Sequence, residues 1–142
     1  MEIQVEHLGS VQFEIKARQH VIVSDQPPAN GGFDEGMTPP ELLLASLGSC
    51  AAYYAAQYLR KNRLAKEGTR VSVSAQKAKD PARMEDFIIQ VESPVPLTEE
   101  ERMGVENAVH NCLIHNTLLH PPHISLEIHS GAAQPVLAGP AH

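Results

Sequence analysis

Two cysteines carry the most reactive chemistry in this chain of 142 residues. Cys50 lies inside a run, residues 42–56, that contains no charged side chain. Cys112 is the only other thiol. A thiol that reduces a peroxide needs a second thiol to resolve it, because a sulfenic acid left alone over-oxidises. A free cysteine on a buried helix is otherwise an inert small hydrophobe. Two cysteines are too few for a disulfide scaffold, so in a reducing compartment they are either core residues or a redox pair.

Histidines surround the second cysteine. His110, His115, His120 and His123 flank Cys112. Their spacing matches no standard zinc pattern, and Pro121-Pro122 interrupts it, so no metal is expected. They read as surface or half-buried side chains, with His115 placed to tune Cys112 from the next helical turn. There is no Gly-rich phosphate loop, no GxSxG elbow and no HExxH, and no cofactor is expected. Asp34, Glu35 and Glu41 are carboxylates near the start of the Cys50 helix, where the helix dipole and capping account for acids.

The element that must position Cys50 is the stretch 38–62, TPPELLLASLGSCAAYYAAQYLRKN. Thr38 with Glu41 three residues on is a capping-box pattern, and Pro39 and Pro40 suit a first turn. The helix is nearly apolar all round, which predicts burial on most sides. One subunit cannot supply that cover, so the same run predicts an intimate homodimer. Arg60 and Lys61 return it to water at a C-terminus that favours cations.

Before this helix, alternation predicts three strands in a meander: one around Ile3, Val5 and His7, one around Val11, Phe13 and Ile15, and one at residues 21–23. A long loop, residues 24–37, SDQPPANGGFDEGM, precedes the helix and is of a length that usually serves a function. After it come strands at residues 71–75 and 87–91 around the turn KDPARM. A second helix opens with the capping box of Thr98 and Glu101, has Met103, Val105, Val109 and Leu113 on its apolar side, and carries Cys112 near its C-terminal end. A further helical turn is expected at residues 116–120. Ile124, Leu126 and Ile128 predict a last strand, and residues 130–142 a loose tail. The order β-β-β-α-β-β-α-β gives an α+β class with antiparallel pairing, in one domain over residues 1–129.

Composition narrows the function. The formal net charge of −6 gives no basic footprint for nucleic acid or anionic lipid. The Cys50 helix is too short and too rich in small residues for a membrane span. Glu2 and Glu6 interrupt any signal-peptide pattern, which makes a cytoplasmic location the default expectation.

With these residues in view, the sequence resembles the OsmC/Ohr family, the osmotically inducible protein C and organic hydroperoxide resistance proteins. The run 25–50, DQPPANGGFDEGMTPPELLLASLGSC, resembles the family's Gly-rich loop, PELL and alanine-rich helix ending in Cys. The run 111–118, NCLIHNTL, resembles its second-cysteine motif. The resemblance covers nearly the whole chain apart from the tail. It implies antiparallel sheets around two central cysteine-bearing helices in an intertwined homodimer. It also implies a thiol-dependent peroxidase of oxidative-stress defence, which reduces small organic hydroperoxides and is restored by an external dithiol of the lipoyl type. Cys50 then corresponds to the peroxidatic cysteine and Cys112 to the resolving one, and Cys112, near a helix end, is expected to be the more mobile of the two.

Family members assist the cysteine with an arginine and a glutamate. The nearest counterparts here are Arg18 and Glu41. The family glutamate stands ten residues before the cysteine; here that place is Pro40, and Glu41 follows it. Nine residues of helix turn about 180° and rise ~13.5 Å, so Glu41 is expected to point away from Cys50. The competing expectation is a non-catalytic dimeric protein of the same fold that binds a small apolar ligand, with both cysteines structural.

Overall fold

The structure is a computed structural model that describes residues 1–131. In chain order it contains β1 (Gln4–Gly9), β2 (Gln12–Ala17), β3 (His20–Ser24), a 3₁₀ turn (Pro28–Asn30), α1 (Pro39–Lys61), β4 (Arg70–Lys79), β5 (Ala82–Glu92), α2 (Glu99–Val109) and α3 (Leu113–Leu119). This is the α+β arrangement with antiparallel sheets that the sequence predicts. The expected tail at residues 130–142 lies almost wholly outside the described residues.

The first three strands form an antiparallel meander in the order β1-β2-β3, with Val5 opposite Ile15 and Ile15 opposite Ile22. This sheet makes no extensive contact with any helix of its own chain. Its apolar side chains are accordingly open, with Val5 60% and Val21 52% exposed. The second sheet is the β4–β5 hairpin, which pairs Val71 with Val91 and Val73 with Ile89.

Residues 25–37, between β3 and α1, wrap around Asp25, which is fully buried. Ser24 and Met37 form an isolated parallel bridge that closes this loop at its base. Gly32 and Gly36 sit where only hydrogen fits. A methyl group on Gly32 would lie 1.8 Å from the carbonyl oxygen of Gln26, and one on Gly36 would lie 2.1 Å from that of Val23.

α1 begins as the sequence predicts. The Glu41 carboxylate accepts the backbone N–H of Thr38 at 2.8 Å and its hydroxyl at 2.8 Å. Within the single chain its burial is one-sided. One stripe, Leu47, Ala51, Ala55 and Leu59, is buried at i, i+4 spacing. It forms the core with Val105 and Val109 of α2, flanked by Tyr58, Leu64, Val71, Ile89 and Val91. The opposite stripe of Ala45, Ser49 and Tyr53 is exposed. An all-apolar helix has no polar side to show, yet a single chain of this size covers only one of its faces.

α2 carries a reciprocal capping box between Thr98 and Glu101. It lies close against α1 because residue 104 is glycine, directly against the ring of Tyr58. The helix ends at Val109, so Cys112 does not belong to it, as the sequence reading had placed it; Cys112 is the N-cap of α3. Met103 and Leu113, expected on the buried side, are exposed. Met103 lies about 120° around the axis from Val109 at 100° per residue, and Leu113 belongs to the next helix.

The expected last strand is absent among the described residues. Residues 121–131 carry no regular structure, and Ile124, Leu126 and Ile128 are each 84% exposed. The alternation is present, but no strand among the described residues hydrogen-bonds to it, and a strand without a ladder is only an extended segment.

Candidate active site

The two cysteines come together where α3 packs on α1. Cys50 is half-buried in the middle of α1, and Cys112 is fully buried at the start of α3; both are free thiols. Cys112, expected to be the more mobile thiol, is the more enclosed of the two. It stands at a helix end, but that end is enclosed.

The Cys112 sulfur takes the place of an N-capping oxygen. It accepts the backbone N–H of His115 at 3.3 Å. The Cys50 thiol lies against it. Burial pushes the Cys112 thiol above its ordinary range, and the neighbouring Cys50 pushes in the same direction. The backbone N–H groups of His115 and Ile114 oppose both without cancelling them. At neutral pH Cys112 is a protonated thiol.

His115 joins Cys112 through its backbone and faces elsewhere with its ring. The ring lies 5.4 Å from that of His110, centroid to centroid, with the planes tilted by 30°. Its Nδ1 is buried without a hydrogen-bond partner among the described residues. A buried polar atom left unpaired costs about 1–3 kcal/mol. Among the described residues no group of three or more His, Cys, Asp or Glu is arranged to hold a metal ion.

The structure does not bring Glu41 or Arg18 to the thiols within one chain. Glu41 is committed to its cap. Hydrogen bonds from the Thr38 backbone and hydroxyl, aided by Lys77, hold its carboxyl below the usual range. Arg18 sits at the β2–β3 turn with φ of 57°, exposed, on a sheet that makes no extensive contact with either cysteine helix.

One residue of structural weight escaped the sequence reading. Asp25 accepts four hydrogen bonds: from the backbone N–H of Gln26 at 2.7 Å, of Phe33 at 3.0 Å and of Glu35 at 3.1 Å, and from the Gln12 amide at 3.1 Å. Burial alone would push its carboxyl up, but these donors together hold it down at about 2. The Gln12 amide also reaches Glu35 at 2.6 Å. An Asp that opens a loop rich in Pro, Asn and Gly is a signal for this kind of side-chain-to-backbone closure.

Comparison with known proteins places this geometry in a family. A family model described as OsmC-like protein matches residues 32–127, which takes in the end of the loop from Gly32, α1 with Cys50, the β4–β5 hairpin and α3 with Cys112. The chain belongs to the OsmC-like family. No curated protein matches it in sequence. Solved structures match it in fold. A candidate osmotic stress induced and detoxification response protein from Psychrobacter arcticus 273-4 is 24% identical, with a TM-score of 0.73 over 81% of this chain and 85% of that one. An OsmC-like protein from Mycoplasma pneumoniae is 18% identical, with a TM-score of 0.72 over 83% and 86%. A Legionella pneumophila protein described as the organic hydroperoxide resistance protein OsmC is 14% identical, with a TM-score of 0.59 over 82% and 87%. At these identities the OsmC-like fold is what is shared. Among the described residues of this OsmC-like chain no helix is long and apolar enough to cross a membrane.

Proposed function

We propose that this OsmC-like protein is a homodimeric thiol peroxidase that reduces organic hydroperoxides through Cys50 and Cys112. The observation that carries the reading is the proximity of its only two thiols, one half-buried and one enclosed. Membership of a family with a fold relative described as an organic hydroperoxide resistance protein supports it.

The chemistry balances with groups in place. The Cys50 thiolate attacks the outer peroxide oxygen, the O–O bond breaks, and the alkoxide leaves as an alcohol after taking a proton. Cys50 is then a sulfenic acid. The Cys112 sulfur attacks the Cys50 sulfur, an S–S bond forms, and the sulfenic oxygen departs with the Cys112 proton as water. An external dithiol reduces the disulfide by exchange and is itself oxidised. The enclosure of Cys112 suits this order, because a buried protonated thiol is shielded from the peroxide and meets only the sulfur beside it.

Mass spectrometry after one equivalent of cumene hydroperoxide tests the proposal. The expected product is an intramolecular Cys50–Cys112 disulfide. Cys112→Ser is expected to trap Cys50 as a sulfenic acid that then over-oxidises, and Cys50→Ser to leave Cys112 unreactive. Two free thiols surviving excess peroxide in the folded protein overturn the assignment.

A further inference from the structure

The two sulfurs are held in different ways. Cys112 is 0% exposed and its backbone is tied on both sides. Its N–H donates to the carbonyl of Val109 at 2.9 Å, its carbonyl accepts the N–H of Asn116 at 3.0 Å, and its sulfur accepts the N–H of His115. Two side chains staple the same corner between α2 and α3. The Asn111 amide donates to the carbonyl of Asn107 at 3.1 Å, and the Asn116 amide to that of His110 at 3.2 Å. A residue held by this many bonds meets solvent only when the corner opens.

Cys50 is half-buried in the middle of α1, next to the exposed Ser49 and one turn before the exposed Tyr53. A second copy packed on that stripe narrows the approach to Cys50. It opens none to Cys112, because added chain only adds cover.

Leaving-group chemistry pulls the other way. Burial raises the Cys112 thiol, and a thiol of higher pKa leaves a disulfide more slowly. That penalty is graded, whereas an enclosed sulfur receives no attack until the fold opens, so access decides. A departing Cys112 sulfur also returns to the N–H of His115, and a hydrogen bond to a charged acceptor is the stronger kind.

Building on the peroxidase reading, we propose that the Cys50–Cys112 disulfide is opened at the Cys50 sulfur alone, with Cys112 always the leaving thiol. A reductant thiolate attacks the Cys50 sulfur and forms a mixed disulfide there. The Cys50–Cys112 bond breaks with its electron pair on Cys112, which takes up a proton in place of the one the reductant thiol gave to solvent. With a dithiol, the second thiolate then attacks the reductant's own sulfur, Cys50 leaves as thiolate, and the reductant departs as a cyclic disulfide. Peroxide and reductant thus take turns at one sulfur.

Rapid-quench mass spectrometry of the full chain, in its native oligomeric state, tests this. The disulfide is first formed with diamide, so that its formation does not depend on peroxide. It is then treated with the monothiol 2-mercaptoethanol and quenched with N-ethylmaleimide in concentrated urea. The mercaptoethanol adduct is expected on Cys50 and the maleimide on Cys112, with at least ~10-fold more adduct on Cys50 than on Cys112. Protein unfolded in urea before the thiol is added should carry adduct on both cysteines. The rate of reduction of the folded protein should rise in proportion to thiol concentration. Equal adducts, or an excess on Cys112, in the folded protein overturn the proposal and leave the peroxidase reading standing. So does a rate that levels off at high thiol, which marks an opening step. A disulfide formed by diamide but not by cumene hydroperoxide removes the peroxidase reading, and the site of attack is still read from the adducts. No disulfide from diamide overturns both.

Discussion

The sulfur of Cys112 caps α3 by accepting the backbone N–H of His115, while Cys50 on α1 is its neighbouring thiol. The resolving candidate is therefore a structural group as well as a reactive one. Its thiol is raised above the ordinary value by burial. In the unfolded chain it returns to about 8.5. Below that value both states hold the proton and the contribution to stability is complete. As pH rises past it, the unfolded chain loses the proton first, so stability falls until the folded value is passed. Denaturation between pH 7.5 and about 10.5 should show this loss, and Cys112→Ala should flatten it. In the folded protein iodoacetamide should modify Cys112 at least ~10-fold more slowly than Cys50.

Asp25 shows the opposite sign. Its folded carboxyl lies at about 2, below the ordinary carboxylate value, because four donors converge on it. Its contribution is complete above the unfolded value of about 4 and disappears as pH falls from there through the folded value. Asp25→Asn keeps the shape but turns one acceptor oxygen into a donor that faces backbone N–H groups. Hydrogen exchange of Phe33 and Glu35 amides should accelerate in that variant at neutral pH, and its acid unfolding should lack the limb below pH 4. Unchanged protection of both amides would show that the loop holds without the carboxylate.

Gly104 sets the spacing between α1 and α2. A methyl group there would stand 2.0 Å from the Tyr58 hydroxyl oxygen and 2.2 Å from the ring carbon that bears it. The ring must move, and it packs against the core formed by Ala55, Leu59 and Val105. Gly104→Ala should lower stability by about 1–3 kcal/mol, despite the better helix propensity of alanine. In Tyr58→Ala the obstacle is gone, so adding Gly104→Ala should then cost little. Urea denaturation of the four variants measures this non-additivity.

Local signals in the sequence translated well into structure. Both capping boxes, the β1–β3 meander and the β4–β5 hairpin follow from patterns within a few residues of one another. The pairing of Cys50 with Cys112 was legible only through the two family-like motifs, since sixty-one residues of chain separate them and spacing carries no distance. What local patterns leave open is the neighbour that an element packs on. Ile124, Leu126 and Ile128 alternate like a strand but find no ladder among the described residues, and α1 is apolar on a side that no described residue covers. Periodicity reports which side of an element avoids water, but not which molecule covers it.

Those uncovered surfaces bear on the proposed dimer. Tyr53, 60% exposed, stands on the bare stripe of α1 with Ala45 and Ser49. An aromatic ring flanked by small side chains suits close helix packing against a second copy. Sedimentation at low micromolar concentration should show a dimer. Tyr53→Arg, which sets a charge into that surface, should raise the dimer dissociation constant by at least ~10-fold. A well-folded monomer of the wild type at that concentration would remove the dimer from the proposal.

Arg18 supplies the sharpest test of how such a dimer would work. It stands on a sheet that makes no extensive contact with the helices of its own chain, and it makes no hydrogen bond or ion pair among the described residues. Any influence on Cys50 therefore has to come from a second copy. On that basis Arg18→Ala should slow the oxidation of Cys50 by cumene hydroperoxide about 10- to 100-fold, the loss of a cation that favours thiolate and polarises the departing oxygen. Mixing Arg18→Ala chains with Cys50→Ser chains should then restore activity. In the mixed dimer one site joins an intact Cys50 to an intact Arg18 contributed by its partner. Stopped-flow oxidation after subunit exchange should show a fast phase with half the amplitude per mixed dimer. No fast phase above the Arg18→Ala homodimer would place the arginine's action in its own chain, and an Arg18→Ala rate equal to wild type would deny it any part in the reaction.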